Sequence, residues 1–353
     1  MPETSHPNRG AAGNPANRFL PTRRVYDLDI ADLDPAEEPS ARTQYLPDLS
    51  ESILSHNDSP DVGFNWSINP YRGCEHGCSY CYARPTHEYL GYGAGIDFES
   101  RILVKHQAAE LLRAELCKPG WKPDVIFMSG VTDCYQPVER KLKITRGCLE
   151  VLSEFRNPVG IVTKNALVAR DVDMLGELAR HQAVVVFISL TTLDPELRRI
   201  LEPRASPPTA RLAAIRALAK AGVPVGVLCA PMIPAINDHE LPNLVKAAVE
   251  AGATFASYTL LRLPLAVRPV FIEWLERHFP ERRDKVLNQL REFRDGQLNK
   301  SDFGERMRGT GAAADRLSQL FKVVAQRHGV LHQWPALNTS AFRRVQRGQQ
   351  ELF

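Results

Sequence analysis

Apolar and polar positions along the chain change period repeatedly, and the changes outline alternating strands and helices. Residues 64–69 alternate apolar with polar and read as a first strand. Residues 124–129 form a second strand, almost continuously apolar, and 159–163, 183–189, 223–228 and 254–261 repeat that pattern. Helical spacing is read between them at 104–117, 138–155, 169–181, 209–221 and 239–251, with a short turn at 195–201. Apolar strands separated by amphipathic helices imply parallel strands covered on both faces. Right-handed crossovers curl such units one way. Six of them, from about 64 to 278, fit an α/β fold with an open (β/α)6 barrel, two units short of the eightfold form. A doubly wound sheet is the alternative, but no Gly-x-Gly-x-x-Gly follows the first strand to support it.

The flanks read differently. Residues 1–45 are rich in Pro, Asn, Arg and Asp with little periodicity, which predicts a disordered or loosely packed leader; its Arg23-Arg24 pair could touch nucleic acid. Residues 46–278 form the core barrel. Residues 279–353 read as a helical, basic C-terminal extension, with helices at 281–293 and 312–328 and a glycine-rich stretch between them. From 277 to 353 there are 15 Lys and Arg against 8 Asp and Glu, a surplus that suits a polyanionic partner or a solvated helix face. Trp334 and Phe342 stand beside arginines there, fit either to stack nucleic-acid bases or to plug the barrel.

Composition narrows the class. With 44% hydrophobic and 24% charged residues, the chain is that of a globular protein in water. No apolar run approaches the ~20 residues that span a bilayer. The N-terminus lacks a basic-then-apolar signal, so a cytoplasmic protein without a membrane partner is expected. A net charge of +3 is too small to imply nucleic-acid binding by itself.

The candidate chemistry lies in Asn69-Pro70-Tyr71-Arg72-Gly73-Cys74-Glu75-His76-Gly77-Cys78-Ser79-Tyr80-Cys81-Tyr82, directly after the first strand. Three cysteines fall within eight residues, and Gly73 and Gly77 allow the backbone to wrap a small object. Thiolates brought together repel unless a soft metal centre neutralises them. The other four cysteines, at 117, 134, 148 and 229, are scattered and make no disulfide framework. A cubane 4Fe–4S cluster on Cys74, Cys78 and Cys81 would keep one iron open for chemistry. Zinc on these three with His76 or His87 is the alternative.

The spacing Cys-x3-Cys-x-aromatic-Cys resembles the radical S-adenosylmethionine superfamily, with Cys74, Cys78, Tyr80 and Cys81 matching at every position. The longer run Asn-Pro-Tyr-Arg-Gly-Cys, with Tyr-Cys-Tyr-Ala-Arg-Pro behind it, is similar to the branch that contains spore photoproduct lyase. Ser-Gly-Val-Thr-Asp and Thr-Lys-Asn are closer to a bacterial subfamily of that branch, and the likeness spans roughly 64–262. The resemblance implies an open partial TIM-like barrel with a 4Fe–4S cluster and S-adenosyl-L-methionine as cofactors. It also implies an external one-electron reductant such as a flavodoxin or ferredoxin. By that likeness Tyr80 lies near the adenine, while Ser129, Gly130, Thr132 and Asp133 meet the amino group. Lys164, ending a buried strand, suits the carboxylate, and Ser189 a ribose hydroxyl. Cys134 occupies the loop from which the lyase returns hydrogen. The reaction implied is hydrogen abstraction by a 5′-deoxyadenosyl radical. Nucleic acid is the leading substrate class, with modification of RNA or protein, or a non-catalytic zinc module, as alternatives.

Overall fold

The computed structural model describes residues 8–20 and 42–345. Strands among them are β1 (Gln44–Pro47), β2 (Leu54–His56), β3 (Trp66–Ile68), β4 (Tyr71–Arg72), β5 (Arg101–Val104), β6 (Ile126–Met128), β7 (Val159–Thr163), β8 (Val184–Ser189), β9 (Val225–Met232) and β10 (Phe255–Leu260). Helices are α1 (Ile96–Ser100), α2 (Ala108–Cys117), α3 (Glu139–Leu142), α4 (Ile144–Phe155), α5 (Val172–Arg180), α6 (Pro195–Leu201), α7 (Pro208–Lys220), α8 (Leu241–Glu250), α9 (Val267–His278), α10 (Arg283–Glu292) and α11 (Gly311–His328). The Arg23-Arg24 pair lies outside the described residues.

Seven strands pair in the order β10-β9-β8-β7-β6-β3-β2. Six of them, β3 and β6 to β10, run parallel in chain order. The seventh, β2, adds antiparallel to β3. This is the open six-unit α/β arrangement expected from the sequence, with helices between each successive pair of parallel strands. Ile68, Met128, Ile161, Val186 and Val225 stand in register from strand to strand, and all are buried. The helices meet that face through apolar positions three and four apart, as in Leu241, Leu244, Val245 and Ala248 of α8.

The other pleat carries an aromatic layer. Phe187 meets Phe127 at 6.1 Å and Phe255 at 5.0 Å between ring centroids. Glycines make the room: a Cβ at Gly160 would enter the Phe127 ring, and one at Gly226 the Phe255 ring. Trp334 closes this layer, edge-on to Phe127 at 5.1 Å and to Phe187 at 5.9 Å, and Phe342 lies 6.1 Å from Phe155. Of the two readings of these aromatics, the structure favours packing against the barrel. Leu331 runs beside β10, its amide 3.1 Å from the Thr254 carbonyl and its carbonyl 3.0 Å from the Ala256 amide, so the extension covers that sheet edge.

Local features depart from the sequence reading: the antiparallel β2 was not expected, and 195–201, read as a turn, is helix α6. The single helix expected over 138–155 is two, because Lys143 adopts φ 55° and interrupts it. A small sheet, β1-β5-β4, was not expected; only Val104, the last residue of β5, falls within the helix read over 104–117.

Candidate active site

Site residues gather at the C-terminal ends of the parallel strands, where such folds place their functional loops. The cysteine turn leaves β3 through β4. Gly73 and Gly77 take φ 78° and 67°, left-handed values that glycine allows. A Cβ at Gly73 would stand 2.9 Å from the Phe98 carbonyl oxygen, and one at Gly77 2.6 Å from Glu99 Oε2. The Cys74 amide donates to Phe98 O at 2.9 Å, and Arg84 grips the Cys78 carbonyl with Nε at 3.0 Å and Nη2 at 2.8 Å. Arg84 is fully buried and pairs with the equally buried Glu99 at 2.5 Å.

Cys74 and Cys78 are buried, Cys81 half-buried, and none forms a disulfide. Burial, then Asp133 and the other two cysteines, pushes the Cys74 thiol well up. Burial likewise raises Cys78, helped by Glu202, and raises Cys81 against the pull of Arg84. Three thiols that repel one another's charge form a donor set for a group that brings its own cations. Among the described residues no three His, Cys, Asp or Glu side chains group around one point as a single metal ion requires. A cubane, with its separate iron corners, does not ask for such a grouping.

The histidines are otherwise engaged. His76 faces Asp133 Oδ2 through Nδ1 at 3.3 Å and Asn165 through Nε2 at 3.3 Å. His87 meets the Arg101 carbonyl at 3.0 Å, and burial pulls its imidazole down to about 4.

The loop after β6 ties itself to the cysteine turn. Thr132 Oγ1 donates to Gly73 O at 2.6 Å, the Val131 amide to Asn69 Oδ1 at 2.9 Å, and Tyr82 OH to Gly130 O at 2.7 Å. Ser129 holds φ 84°, strained for a residue with a side chain, and its hydroxyl accepts from the Cys134 amide at 3.0 Å. Asp133 is a junction: Thr163 Oγ1 at 2.7 Å, the Lys164 amide at 2.8 Å, the Tyr135 amide at 2.9 Å and His76 all point at it. Burial alone would raise its carboxyl, but His76 and these donors hold it at about 2. The carboxylate expected to meet the cofactor's amino group is therefore already surrounded by donors from this chain. Cys134, expected as a hydrogen donor, has no exposed surface and belongs to the main core, with its thiol pushed well up by burial.

Lys164, at the end of β7, lies with Nζ 5.8 Å from the centroid of the Tyr80 ring and acts electrostatically on Cys78, Cys81 and Glu202. Its ammonium has no hydrogen-bond acceptor among the described residues. The Ser189 hydroxyl at the end of β8 is buried, likewise without a partner among them. Arg262, after β10, lies over the exposed Tyr82 ring at 5.9 Å, and its Nε has no acceptor among the described residues.

Sequence reasoning missed Glu202. Fully buried after α6, it pairs with Arg211 and accepts from Tyr80 OH and from Thr191 Oγ1 at 2.6 Å. Burial would raise this carboxyl, yet Arg211, Lys164 and the hydroxyls hold it at about 2. Nothing local distinguishes a glutamate between Leu201 and Pro203 from a solvated one. A cavity of about 200 Å³ bounded by Arg140, Asn165, Arg204 and Ser206 adjoins the His76–Asn165 contact and includes none of the thiols.

Residues 68–248, just over half the chain, match the family model described as the radical SAM superfamily. An uncharacterised protein of Mycobacterium tuberculosis is 37% identical over 69% of this chain and 72% of its own. An uncharacterised protein of Methanocaldococcus jannaschii is 27% identical over 66% of this chain and 83% of its own. Among solved structures, spore photoproduct lyase complexed with dinucleoside spore photoproduct superposes with a TM-score of 0.61 at 15% identity, over 82% of either chain. At that identity the likeness is one of fold.

Proposed function

This chain belongs to the radical SAM superfamily, and on that premise we propose that it uses Cys74, Cys78 and Cys81 to hold a 4Fe–4S cluster and abstracts hydrogen from a nucleic-acid substrate. Enzymes of the family work with such a cluster and S-adenosylmethionine, which together supply a one-electron cleavage to a 5′-deoxyadenosyl radical. The protein's task is to bind, orient and shield. Lys164 offers to the methionyl carboxylate an ammonium that no acceptor among the described residues claims, and the Ser189 hydroxyl is assigned to the ribose. Tyr80, anchored through its phenol by Glu202, presents its ring beside the adenine. Backbone groups of Ser129, Gly130 and Thr132 line the amino-group side, while Asp133 fixes that loop against His76 and β7 rather than touching the cofactor. Cys134 takes no donor role here, because a hydrogen donor must reach substrate.

The observation that carries the reading is three thiols on one short turn, two buried and one half-buried, beside an ammonium that no acceptor among the described residues claims. The substrate class rests on the rim, where Arg262 and the exposed Tyr82 offer a cation and a stacking face, and on the fold shared with a lyase that holds a dinucleoside. The test uses reduced, anaerobically reconstituted protein with S-adenosylmethionine. DNA, RNA and protein fractions from cells grown in deuterated medium are supplied, and deuterium in 5′-deoxyadenosine is measured by mass spectrometry. Label from a nucleic-acid fraction is expected. Label from protein alone would overturn the substrate assignment, and no 5′-deoxyadenosine at all would overturn the reaction.

A further inference from the structure

Residues 8–20, far from the cysteines in sequence, lie directly on the cysteine turn. Gly10 packs against the Gly77 carbonyl so closely that a Cβ on it would overlap that oxygen and stand 3.1 Å from the Ser79 amide. The Gly10 and Ala11 amides donate to Glu99 Oε2 at 3.0 Å and Oε1 at 2.9 Å. Glu99 is fully buried and also takes the Arg84 guanidinium, the group that grips the Cys78 carbonyl. The segment is fastened along its length. The Ile96 amide donates to Gly13 O at 3.1 Å, the Asp97 amide to Asn14 Oδ1 at 3.1 Å, and Asn17 Nδ2 to Tyr92 O at 2.9 Å. Arg18 pairs with the buried Glu88 carboxylate at 2.8 Å.

We propose that residues 8–20 are a strap that positions the middle cysteine of the cluster turn and screens that flank of the cluster, with Glu99 as the positioning residue that joins strap, Arg84 and turn. The proposal rests on the cluster reading above. Its chemistry is that of a buried carboxylate with all its donors supplied: two strap amides on one side and the arginine holding Cys78 on the other. Lifting the strap leaves Glu99 short of two donors and opens the Gly77–Ser79 backbone to solvent.

The experiment uses the full chain with Gly10→Val, which the geometry cannot accommodate, and with Glu99→Gln. Each is reconstituted anaerobically, and iron content, bleaching of the iron–sulfur absorbance in air, and trypsin cleavage after Arg9 and Arg18 are followed. For Gly10→Val, the iron content should match wild type, bleaching should be at least about tenfold faster, since Glu99 loses two charge-assisted hydrogen bonds, and tryptic cleavage should be faster. Glu99→Gln should move the same readouts in the same direction. Wild-type bleaching in Gly10→Val with the strap cleaved would overturn the screening role. A strap in Gly10→Val as protected as in wild type would overturn the contact itself. Wild-type protein that takes up no iron would instead overturn the cluster reading, so the two failures are separable.

Discussion

Replacing Glu202 by Gln tests whether the Tyr80–Glu202–Arg211 network organises the site. Both Glu202 and Arg211 are buried, and among the described residues Arg211 otherwise reaches only carbonyls, Ser189 O at 2.9 Å and Ser206 O at 2.8 Å. Removing the carboxylate charge leaves a buried guanidinium without its counter-ion, a loss of about 3–5 kcal/mol. The carboxyl's descent from 4.5 to about 2 corresponds to a figure on the order of 3 kcal/mol, in agreement. For a chain of this length, that lowers Tm by about 4–7 °C. The pH dependence has a definite sign. The folded-state value lies below the unfolded one, so the stabilisation is complete above about pH 4.5 and is lost as pH falls toward 2. The gap in Tm between wild type and Glu202→Gln, read by circular dichroism on protein without cofactor, should be full at pH 7 and narrow steadily below pH 4.5. A variant that melts within about 1 °C of wild type at pH 7, or a gap that does not change in acid, would refute the reasoning.

Other consequences are as specific. Lys164→Met should leave iron content unchanged but weaken S-adenosylmethionine binding about tenfold or more, measured by equilibrium dialysis of reconstituted protein. Ser189→Ala should not lower the Tm of cofactor-free protein, since its hydroxyl has no partner among the described residues, yet it should reduce cofactor affinity by about three- to tenfold. Asp133→Asn should remove part of the acid sensitivity of unfolding: its carboxyl, held at about 2, stabilises the fold above its unfolded value of 3.8 and stops doing so as pH falls toward 2. Gly226→Ala places a Cβ 2.6 Å from the Phe255 carbonyl oxygen and inside its ring, and should cost about 1–3 kcal/mol in chemical denaturation.

Periodicity located the parallel strands, β3 by its alternation and the others by largely apolar runs that pack on both faces; 159–163 coincides with β7, and the others differ at their ends. The break at Lys143 was invisible, since a lysine gives no warning of a left-handed backbone. β5 escaped because four residues pairing with β1 and β4 carry no period that distinguishes them from the helix behind. At the site, cysteine spacing and glycine placement were legible because they are local. Glu99 and Glu202 were not. Their roles depend on Arg84 and Arg211, on strap amides some 88 residues away for Glu99 and on a tyrosine 122 residues away for Glu202. Such partners meet only in the folded chain, and nothing in the leader's composition announces that Gly10 must lie against Gly77.

The central claim is that three thiolates hold the cluster and leave one iron for the sulfonium cofactor. Its most direct measurement is the iron content and electron paramagnetic resonance spectrum of reduced, reconstituted protein, with and without S-adenosylmethionine. The account predicts about four irons per chain, a spectrum that changes when the cofactor is added, and loss of both in Cys74→Ala, Cys78→Ala and Cys81→Ala. A spectrum indifferent to S-adenosylmethionine, or full iron content in any of those variants, would contradict it.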